Sequence, residues 1–286
     1  MEEIRLAYLR PEQIRGRLVQ TPVVFVPIGP LEWHGPHCPF GTDALNAQNV
    51  ATEVCRSLGG VLWPTLFWGT ERERRPEQLE SLGFPRDAYV VGMDFPANSV
   101  PSCYCPEEVL AVLVREVVRE AGRIGARLVV LINGHGAENQ IATLRRLALE
   151  ITRTTGPRVH VRIAAPRERI DEGSGGHADA GETSVMMHLT DSVDLSTLPP
   201  LPERLAFTDF AVVSGGGFDG KVPDHALGDA DDPRRNASAE RGRRGSQCVI
   251  EEIAAEVRGL LADMGITPPG GTGRRPSDKP GRGSTA

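Results

Sequence analysis

The sequence RLVVLINGHG, residues 127–136, joins an apolar run to a turn that contains His135. A short run that is nearly all apolar is typical of a strand in a parallel sheet that helices cover on both faces. Open α/β sheets bind their ligands at the carboxyl ends of their strands. The stretch therefore predicts a buried strand followed by a loop that carries functional residues.

The same arrangement recurs along the chain. Residues 21–28 (TPVVFVPI) form a run rich in β-branched residues that Gly29-Pro30 closes, which predicts a second buried strand. The remaining predictions are strands at residues 61–67 and 159–164, helices at 43–58, 106–125, 138–154, 181–189 and 247–264, an irregular segment at 70–105, a glycine-rich turn at 173–176 and a long loop at 215–244. This alternation predicts an α/β fold of three layers, α/β/α, with a mostly parallel central sheet.

The composition indicates a folded, acidic protein. Of its 286 residues, 40% are hydrophobic and 24% are charged, and 38 acidic and 32 basic side chains give a formal charge of −6. A net negative charge provides no field that would recruit nucleic acid, so we predict no nucleic-acid partner. Residues 1–266 are predicted to form a single domain, and residues 267–286, rich in Gly, Pro and Arg, a disordered tail.

Location and thiol chemistry also follow from the sequence. The chain contains no run of about 18 apolar residues and no basic N-terminal segment followed by an apolar one, which predicts neither membrane insertion nor export. We therefore expect a cytoplasmic protein. Its five cysteines are an odd, scattered set, which predicts reduced thiols rather than a disulfide framework.

The loop after residues 21–28 leads to three potential metal ligands, Glu32, His34 and Asp43. Glu32 and His34 are two residues apart, so in an extended segment both side chains point to the same side. Asp43 opens a predicted helix, where an aspartate taken alone most often caps the N-terminus. Combined with Glu32 and His34, its two carboxylate oxygens favour the alternative, a bridge between two cations.

Two further segments add potential ligands. Glycines flank His135 on both sides and let the backbone approach an ion or a substrate closely. His177 lies in a loop ahead of the predicted helix at residues 181–189, and Glu182 lies at the start of that helix. An acidic residue at a helix N-terminus also favours the helix dipole, so Glu182 has two interpretations.

The residue types indicate a dinuclear metal site. Carboxylates and imidazoles without thiolates suit Zn²⁺, Mn²⁺ or Fe²⁺, and a bridging carboxylate holds two such ions about 3.5–4 Å apart. Such a pair lowers the pKa of a water molecule and polarises the carbonyl group under attack. His177 is our first candidate for the group that delivers a proton to the departing nitrogen. These residues predict a metal-dependent hydrolase.

The three segments together resemble the creatininase family. Residues 32–37 read EWHGPH with Thr42-Asp43 following, residues 133–139 read NGHGAEN, and residues 177–184 read HADAGETS. They are similar to the family's E-x-H-G-P-H, N-G-H-G-x-N and H-A-G-x-x-E-T-S segments and occur in the same order, and three spaced motifs are more specific than one. The resemblance extends more weakly to ASAERG at residues 237–242.

The resemblance implies a creatininase-like fold, two divalent metal ions per chain and hydrolysis of a C–N bond in a cyclic or small linear amide. It also implies a homo-oligomer, since members of the family commonly assemble as hexamers. Some departures bear on the substrate. Trp33 stands where glutamine is common, Asp179 replaces a glycine, and residues 95–105 lack the family's usual histidine and F-P-G-T pattern. The shared expectation is therefore only hydrolysis of an amide-type C–N bond, which we expect in a non-peptide or cyclic amide, and these departures disfavour creatinine itself as the substrate.

The resemblance also implies a division of the metal ligands. One ion would be held by Glu32, Asp43 and His135, and the other by His34, the shared Asp43 and a glutamate. That glutamate is Glu182, or else Glu138, which follows the histidine motif one residue out of register with the family. Glu138 is also a second candidate, after His177, for a catalytic role.

Two other functional classes compete with this interpretation. One is a catalytically silent metal-binding or scaffold protein of the same fold, which the intact set of potential ligands disfavours. The other is a nucleophilic hydrolase that uses Ser184 or Cys38 with His37. Neither nucleophile lies in a G-x-S-x-G turn between a strand and a helix, which disfavours that class as well.

Overall fold

A computed structural model of the chain describes residues 2–81, 84–95, 98–154, 156–167, 176–203, 205–208, 211–213 and 230–268. Its main strands are Val23–Ile28 (β1), Val61–Leu62 (β2), Leu128–Asn133 (β3) and Arg158–Ile163 (β4). They form one sheet in the order β2-β1-β3-β4, and each neighbouring pair is parallel. A separate antiparallel pair joins Ala206–Thr208 (β5) to Ala211–Val213 (β6). The predicted α/β class is confirmed.

The two central strands, β1 and β3, are buried along their whole length. They pair in register from Val23 opposite Leu128 to Ile28 opposite Asn133. Because side chains alternate along a strand, successive residues contact helices on opposite faces of the sheet. Both faces are apolar here, which explains why these strands appear in the sequence as nearly continuous apolar runs.

Helices cover both faces of the sheet. The α-helices of the described residues are Pro11–Gln20 (α1), Thr42–Leu58 (α2), Pro76–Ser81 (α3), Glu107–Arg123 (α4), Glu138–Thr152 (α5), Ala180–Leu189 (α6), Pro233–Asn236 (α7) and Ala239–Asp263 (α8). Phe25 and Val130 belong to the core that β1 and β3 share with α2 and α8. Val26 and Leu131 belong to the core on the opposite face, with α4 and α5. The predicted three-layer α/β/α arrangement is confirmed.

Two predicted elements differ from the structure in extent. The strand predicted at residues 61–67 ends at Leu62. Trp63 still donates to the carbonyl oxygen of Phe25, but after Pro64 the register shifts by one residue, because Leu66 rather than Thr65 donates to Pro27, and Leu66 forms only an isolated bridge with Ile28. Within the loop predicted at residues 215–244, α7 and the start of α8 are helical. The Oγ of Ser238 accepts a hydrogen bond from the amide of Arg241 and caps α8, which therefore begins at Ala239 rather than at residue 247.

Helix α1, and α3 within the irregular segment at residues 70–105, have no counterpart among the elements predicted from the sequence. The glycine turn predicted at residues 173–176 lies outside the described residues except for Gly176, and residues 269–286 of the predicted tail also lie outside them. The assignment of residues 1–266 to a single domain stays a prediction.

The strand order indicates at which edge of the sheet a ligand site is expected. From β1 the chain continues to β2 on one side, whereas β3 and β4 lie on the other side of β1. The winding direction therefore reverses between β1 and β3, and open α/β sheets bind their ligands at the carboxyl ends of strands at such a reversal.

Among the described helices, none has the length and apolar character needed to cross a membrane.

Candidate metal centre

The loop after β1 places Glu32 and His34 at the carboxyl edge of the sheet. The amide of Glu32 donates to the carbonyl oxygen of Phe40 at 2.8 Å. The Nδ1–H of His34 donates to the carbonyl oxygen of Glu32 at 3.0 Å, which leaves the lone pair of the neutral ring on Nε2. The two residues are only 2% and 1% exposed, so both ligand groups face the protein interior.

Asp43 lies in the first turn of α2, and its two carboxylate oxygens face different imidazoles. Its Oδ1 lies 3.2 Å from the Nε2 of His34, and its Oδ2 lies 2.8 Å from the Nδ1 of His135. The N-cap of α2 is Gly41, and no side chain caps this helix. Of the two interpretations of Asp43, the geometry thus favours the bridging one over the cap.

His135 is held by the turn after β3. Its amide donates to the Oδ1 of Asn133 at 3.2 Å, and the Nδ2 of Asn133 donates to the His135 carbonyl oxygen at 2.6 Å. Gly134 has a packing role, because a Cβ at this position would overlap the carbonyl oxygen of Asp43. The glycine before His135 therefore lets the first turn of α2 approach the end of β3. Gly136, in contrast, has open space around it.

Glu182 reaches the same cluster from α6. Its Oε2 lies 3.8 Å from the Nε2 of His34 and accepts a hydrogen bond from the amide of Ala178 at 2.6 Å. Asp179 caps α6, since its Oδ1 accepts from the amides of Gly181 and Glu182. Asp179, not Glu182, therefore satisfies the helix N-terminus, which leaves the carboxylate of Glu182 facing His34.

His177 lies beside His34, and the two ring centroids are 4.1 Å apart. Its Nε2–H donates to the carbonyl oxygen of Trp33, so the neutral ring carries its lone pair on Nδ1. Burial lowers the pKa of His177 to about 4, and the positive charge favoured on His34 acts in the same direction. His177 is therefore a neutral imidazole at neutral pH.

These side chains form three overlapping groups of potential metal ligands. In each group the ligand atoms lie within 4.8 Å of one another. The groups are Glu32, Asp43 and His135; His34, Asp43 and Glu182; and Glu32, His34 and His177. The first two share Asp43, which is the division of ligands that the family resemblance implies.

The electrostatics of the cluster favour positive charge at its centre. Burial opposes a charged imidazole, but the carboxylates of Asp43, Glu182 and Glu32 outweigh it and raise the pKa of His34 to about 10. Burial also opposes a charged imidazole at His135, but Glu32 and Asp43 outweigh it and raise the pKa of His135 well above its usual range. Burial raises the pKa of Glu182 to about 8. The carboxylates thus require either protons or cations between them.

The structure does not bring Glu138 into this cluster. It is the first residue of α5, its side chain is exposed, and it belongs to none of the three ligand groups found among the described residues. Glu182 is therefore the glutamate that the geometry supports for the second set of ligands. A catalytic role for Glu138 stays a prediction.

The candidate nucleophiles Cys38 and Ser184 have structural partners. Burial raises the pKa of the Cys38 thiol to about 12, which disfavours the thiolate. The hydroxyl of Ser184 donates to the carbonyl oxygen of Ala180 and accepts from the amide of Ser238 at 3.1 Å. The Nε2 of His37 and the Sγ of Cys38 lie 2.9 and 3.6 Å from the same hydroxyl, the Oγ1 of Thr183, so both side chains have a partner in α6.

Two residues of the centre were not predicted from the sequence. The hydroxyl of Tyr104 donates to the Oε1 of Glu32, and the Oε2 of Glu71 lies 4.0 Å from the Nε2 of His135. Both come from the irregular segment between β2 and α4. No periodic pattern marks such a segment; the only available signals were the aromatic residue between two cysteines and an acidic residue soon after a strand.

Comparisons with known proteins agree with these observations. Residues 7–257 match the family described as creatinine amidohydrolase. A mycofactocin precursor peptide peptidase of Mycobacterium ulcerans is 29% identical over 242 residues, which cover 82% of this chain and 84% of that protein. A creatinine amidohydrolase of Pseudomonas putida is 31% identical over 113 residues, which cover 40% of this chain and 37% of that protein.

Solved structures share the fold. A creatininase variant complexed with creatine aligns with a TM-score of 0.64 at 23% identity, covering 91% of this chain and 99% of its own. A Zn–Zn form of a creatininase variant aligns with a TM-score of 0.63 at 22% identity and the same coverage of both chains. At this level of identity the likeness concerns the fold.

Proposed function

Because the chain belongs to the creatininase family of amidohydrolases, we propose that it is an enzyme that hydrolyses an amide-type C–N bond with the help of two divalent cations. The observation that carries this proposal is the position of Asp43. Its two oxygens face His34 and His135 at 3.2 and 2.8 Å, and each imidazole belongs to a separate group of ligands. One carboxylate thereby serves two sets of three ligands.

The residues of the cluster fit a pair of divalent cations. Glu32, Asp43 and His135 would hold one ion, and His34, Asp43 and Glu182 the other. Three carboxylates and two imidazoles without a thiolate suit Zn²⁺ or Mn²⁺, and a structural neighbour is described as a Zn–Zn form. Bound at such a site, the cations would polarise the scissile carbonyl group and lower the pKa of a water molecule.

The surrounding residues orient the ligands. Tyr104 donates to the Oε1 of Glu32, which leaves the Oε2 of Glu32 directed at His135, 3.3 Å from its Nδ1. The Glu32 carbonyl oxygen fixes the ring of His34, so that Nε2 points at Asp43. Such contacts to ligands that are themselves buried hold the donor atoms in place before a cation binds.

We assign the transfer of a proton to His177. Its Nε2–H is committed to the carbonyl oxygen of Trp33, so its Nδ1 is the nitrogen able to accept a proton and to pass it to the departing amine. Burial opposes the positive charge that the ring acquires in this step, whereas the carboxylates of Glu32 and Asp43 favour it. The ring is therefore neutral before the reaction and acidic enough to release the proton again.

The substrate is proposed only as a class. One relative that aligns over most of the chain is a precursor peptide peptidase, and another that aligns over a shorter stretch is a creatinine amidohydrolase. The proposed substrates are therefore cyclic amides, small linear amides and short peptides. The cytoplasmic location, the homo-oligomer and its hexameric state stay predictions.

Metal analysis joined to an activity screen tests the proposal. Purified protein is analysed for bound Zn²⁺, Mn²⁺ and Fe²⁺, and then assayed for release of amine from lactams, hydantoins, formamides and short peptides. We expect activity that EDTA abolishes and Zn²⁺ or Mn²⁺ restores. Bound cations without turnover on any of these classes would favour the silent scaffold instead, and inactivation only by a thiol or serine reagent would contradict the metal mechanism.

A further inference from the structure

Building on the proposed function, we infer that Glu71 is the outer partner of His135 and positions that histidine as a metal ligand. In this arrangement the Nδ1 of His135 faces the cation. The opposite nitrogen, Nε2, carries the ring proton and donates it toward the carboxylate of Glu71, directly or through one water molecule. Glu71 is thus a positioning residue that does not itself contact the reacting atoms.

The two nitrogens of His135 have very different surroundings. Nδ1 lies 2.8 Å from the Oδ2 of Asp43 and 3.3 Å from the Oε2 of Glu32, which places it in a ligand group. Nε2 is buried and has no hydrogen-bond partner within the described chain. An imidazole that binds a cation through one nitrogen carries its proton on the other and usually donates it to a carboxylate, a carbonyl oxygen or water. The Nε2–H of His135 therefore needs an acceptor on the side of the ring that faces away from Asp43 and Glu32.

Glu71 is the carboxylate that faces this nitrogen. Its Oε2 lies 4.0 Å from the Nε2 of His135, too far for a direct hydrogen bond but within the span of one bridging water. Its Oε1 is engaged elsewhere, because it accepts from the amide of Arg72 at 2.8 Å. The Glu71 side chain is 23% exposed, so water reaches it from the outer side. A small rotation or one water molecule completes the contact.

The fold holds the backbone of this loop against the turn that carries His135. The amide of Thr70 donates to the Oε1 of Gln140, and the Nε2 of Gln140 donates to the Oδ1 of Asn133, both at 2.8 Å. The same Oδ1 accepts from the amide of His135 at 3.2 Å. Gln140 is fully buried, so one side chain joins the loop after β2 to the turn after β3. This linkage holds the backbone next to Glu71 at a set distance from the turn that carries His135.

On its other side, the Glu71 side chain packs against Gly92. Gly92 has a φ of +54°, and a Cβ at this position would overlap the Cγ of Glu71. The carbonyl oxygen of Gly92 accepts from the Nε of Arg74 at 2.7 Å, and Arg74 is buried. A glycine in a left-handed conformation thus provides the space that the Glu71 side chain occupies, and a buried arginine holds that glycine.

A metal-affinity measurement on the full chain tests the inference. Glu71→Leu removes the acceptor, Glu71→Gln retains an amide oxygen that can accept, and Glu73→Gln is the control because Glu73 is exposed in the same loop. Zn²⁺ affinity is measured by competition with a chromophoric chelator. We expect Glu71→Leu to lower the affinity for one of the two Zn²⁺ ions about 10- to 100-fold and Glu71→Gln to lower it less. Glu73→Gln should leave the affinity for both ions unchanged.

A second readout reports on the histidine directly. In ¹⁵N-histidine spectra of the Zn²⁺-loaded protein, we expect an Nε2–H signal for His135 that is protected from exchange in the wild type and lost in Glu71→Leu. Unchanged affinity with a rise in KM would overturn the inference, because Glu71 would then contact the substrate. Failure of the wild-type chain to bind Zn²⁺ or Mn²⁺ would overturn the proposed function as well, so the two failures are distinguishable.

Discussion

Replacement of Asp43 is the most informative perturbation of the centre, because this residue alone belongs to both proposed sets of ligands. Each set contains three residues, so Asp43→Ala leaves two in each. Glu182→Ala removes one ligand from the second set only and leaves the first set complete. We therefore expect about two bound ions in the wild type, about one in Glu182→Ala, and one or fewer in Asp43→Ala.

The thermodynamic effect has a defined size. A ligand that binds only the folded state at about 100 times its Kd stabilises it by about 2.7 kcal/mol, so two sites contribute about 5.4 kcal/mol. At roughly 2–4 °C per kcal/mol for a domain of this size, saturating Zn²⁺ raises the Tm of the wild type by roughly 10–20 °C. Asp43→Ala should lose most of this rise, whereas Glu182→Ala should keep about half.

The assay compares the increase in Tm that Zn²⁺ produces, not the absolute Tm. This matters because Asp43 lies between two imidazoles whose pKa values it raises, and removal of one partner of a buried ion pair destabilises a protein by about 3–5 kcal/mol without any cation. Glu53→Gln is the control, because Glu53 lies on the same helix but is partly exposed and pairs with Arg56 rather than with the cluster. If Asp43→Ala bound two ions and showed the same Zn²⁺-induced increase in Tm as the wild type, the bridging role of Asp43 would be refuted.

Three further predictions address other parts of the molecule. His177→Ala should retain both ions but turn over about 10²- to 10⁴-fold more slowly, and loss of metal in this variant would make His177 a ligand instead. Gly242→Ala should lower the free energy of unfolding in guanidinium chloride by about 1–3 kcal/mol, because its Cβ would overlap the backbone of α6. Gly245→Ala on the same helix is the control, since nothing lies within 4 Å of its Cβ, and it should be neutral or stabilising. Burial opposes ionisation of Asp232, but hydrogen bonds from Arg234 outweigh it and lower the pKa, so Asp232 stabilises the fold above the pKa of an unfolded aspartate, about 4. The stability difference between the wild type and Asp232→Asn should therefore be present at pH 7 and shrink as the pH falls from the pKa of an unfolded aspartate through the lower pKa of the folded one. A difference that grows over this fall in pH would contradict the assignment.

The sequence predicts those parts of the centre that local signals control. Glu32, His34 and His135 directly follow apolar strands, so the strand pattern alone locates them at one edge of the sheet. The choice between Glu138 and Glu182 depends on side-chain direction at two helix starts. The sequence offered no such direction, whereas the structure shows one side chain exposed and the other facing His34.

Residues from the irregular segment could not be predicted for a different reason. Glu71 and Tyr104 reach the centre through tertiary contacts: the loop of Glu71 is fixed by the buried Gln140, and the hydroxyl of Tyr104 meets Glu32 across 72 positions of the chain. Neither contact has a periodic signature. The early start of α8 has the same origin, since its first turns are set by a serine cap and by close packing on α6.

The energetics of the centre also bear on whether it binds cations. Glu32 and Asp43 are 2% and 4% exposed, and burial raises the free energy of a carboxylate that no positive charge compensates. In many proteins, replacing a buried ionic cluster by apolar residues of similar volume leaves stability unchanged or increases it. A scaffold without bound cations would therefore gain nothing in stability from this cluster. The same groups become favourable when two divalent cations lie among them, since His34 and His135 can then stay neutral and act as ligands. The arrangement thus favours a centre that binds cations over one that stays metal-free, and this conclusion would fail if the metal-free chain proved as stable as the chain saturated with Zn²⁺ or Mn²⁺.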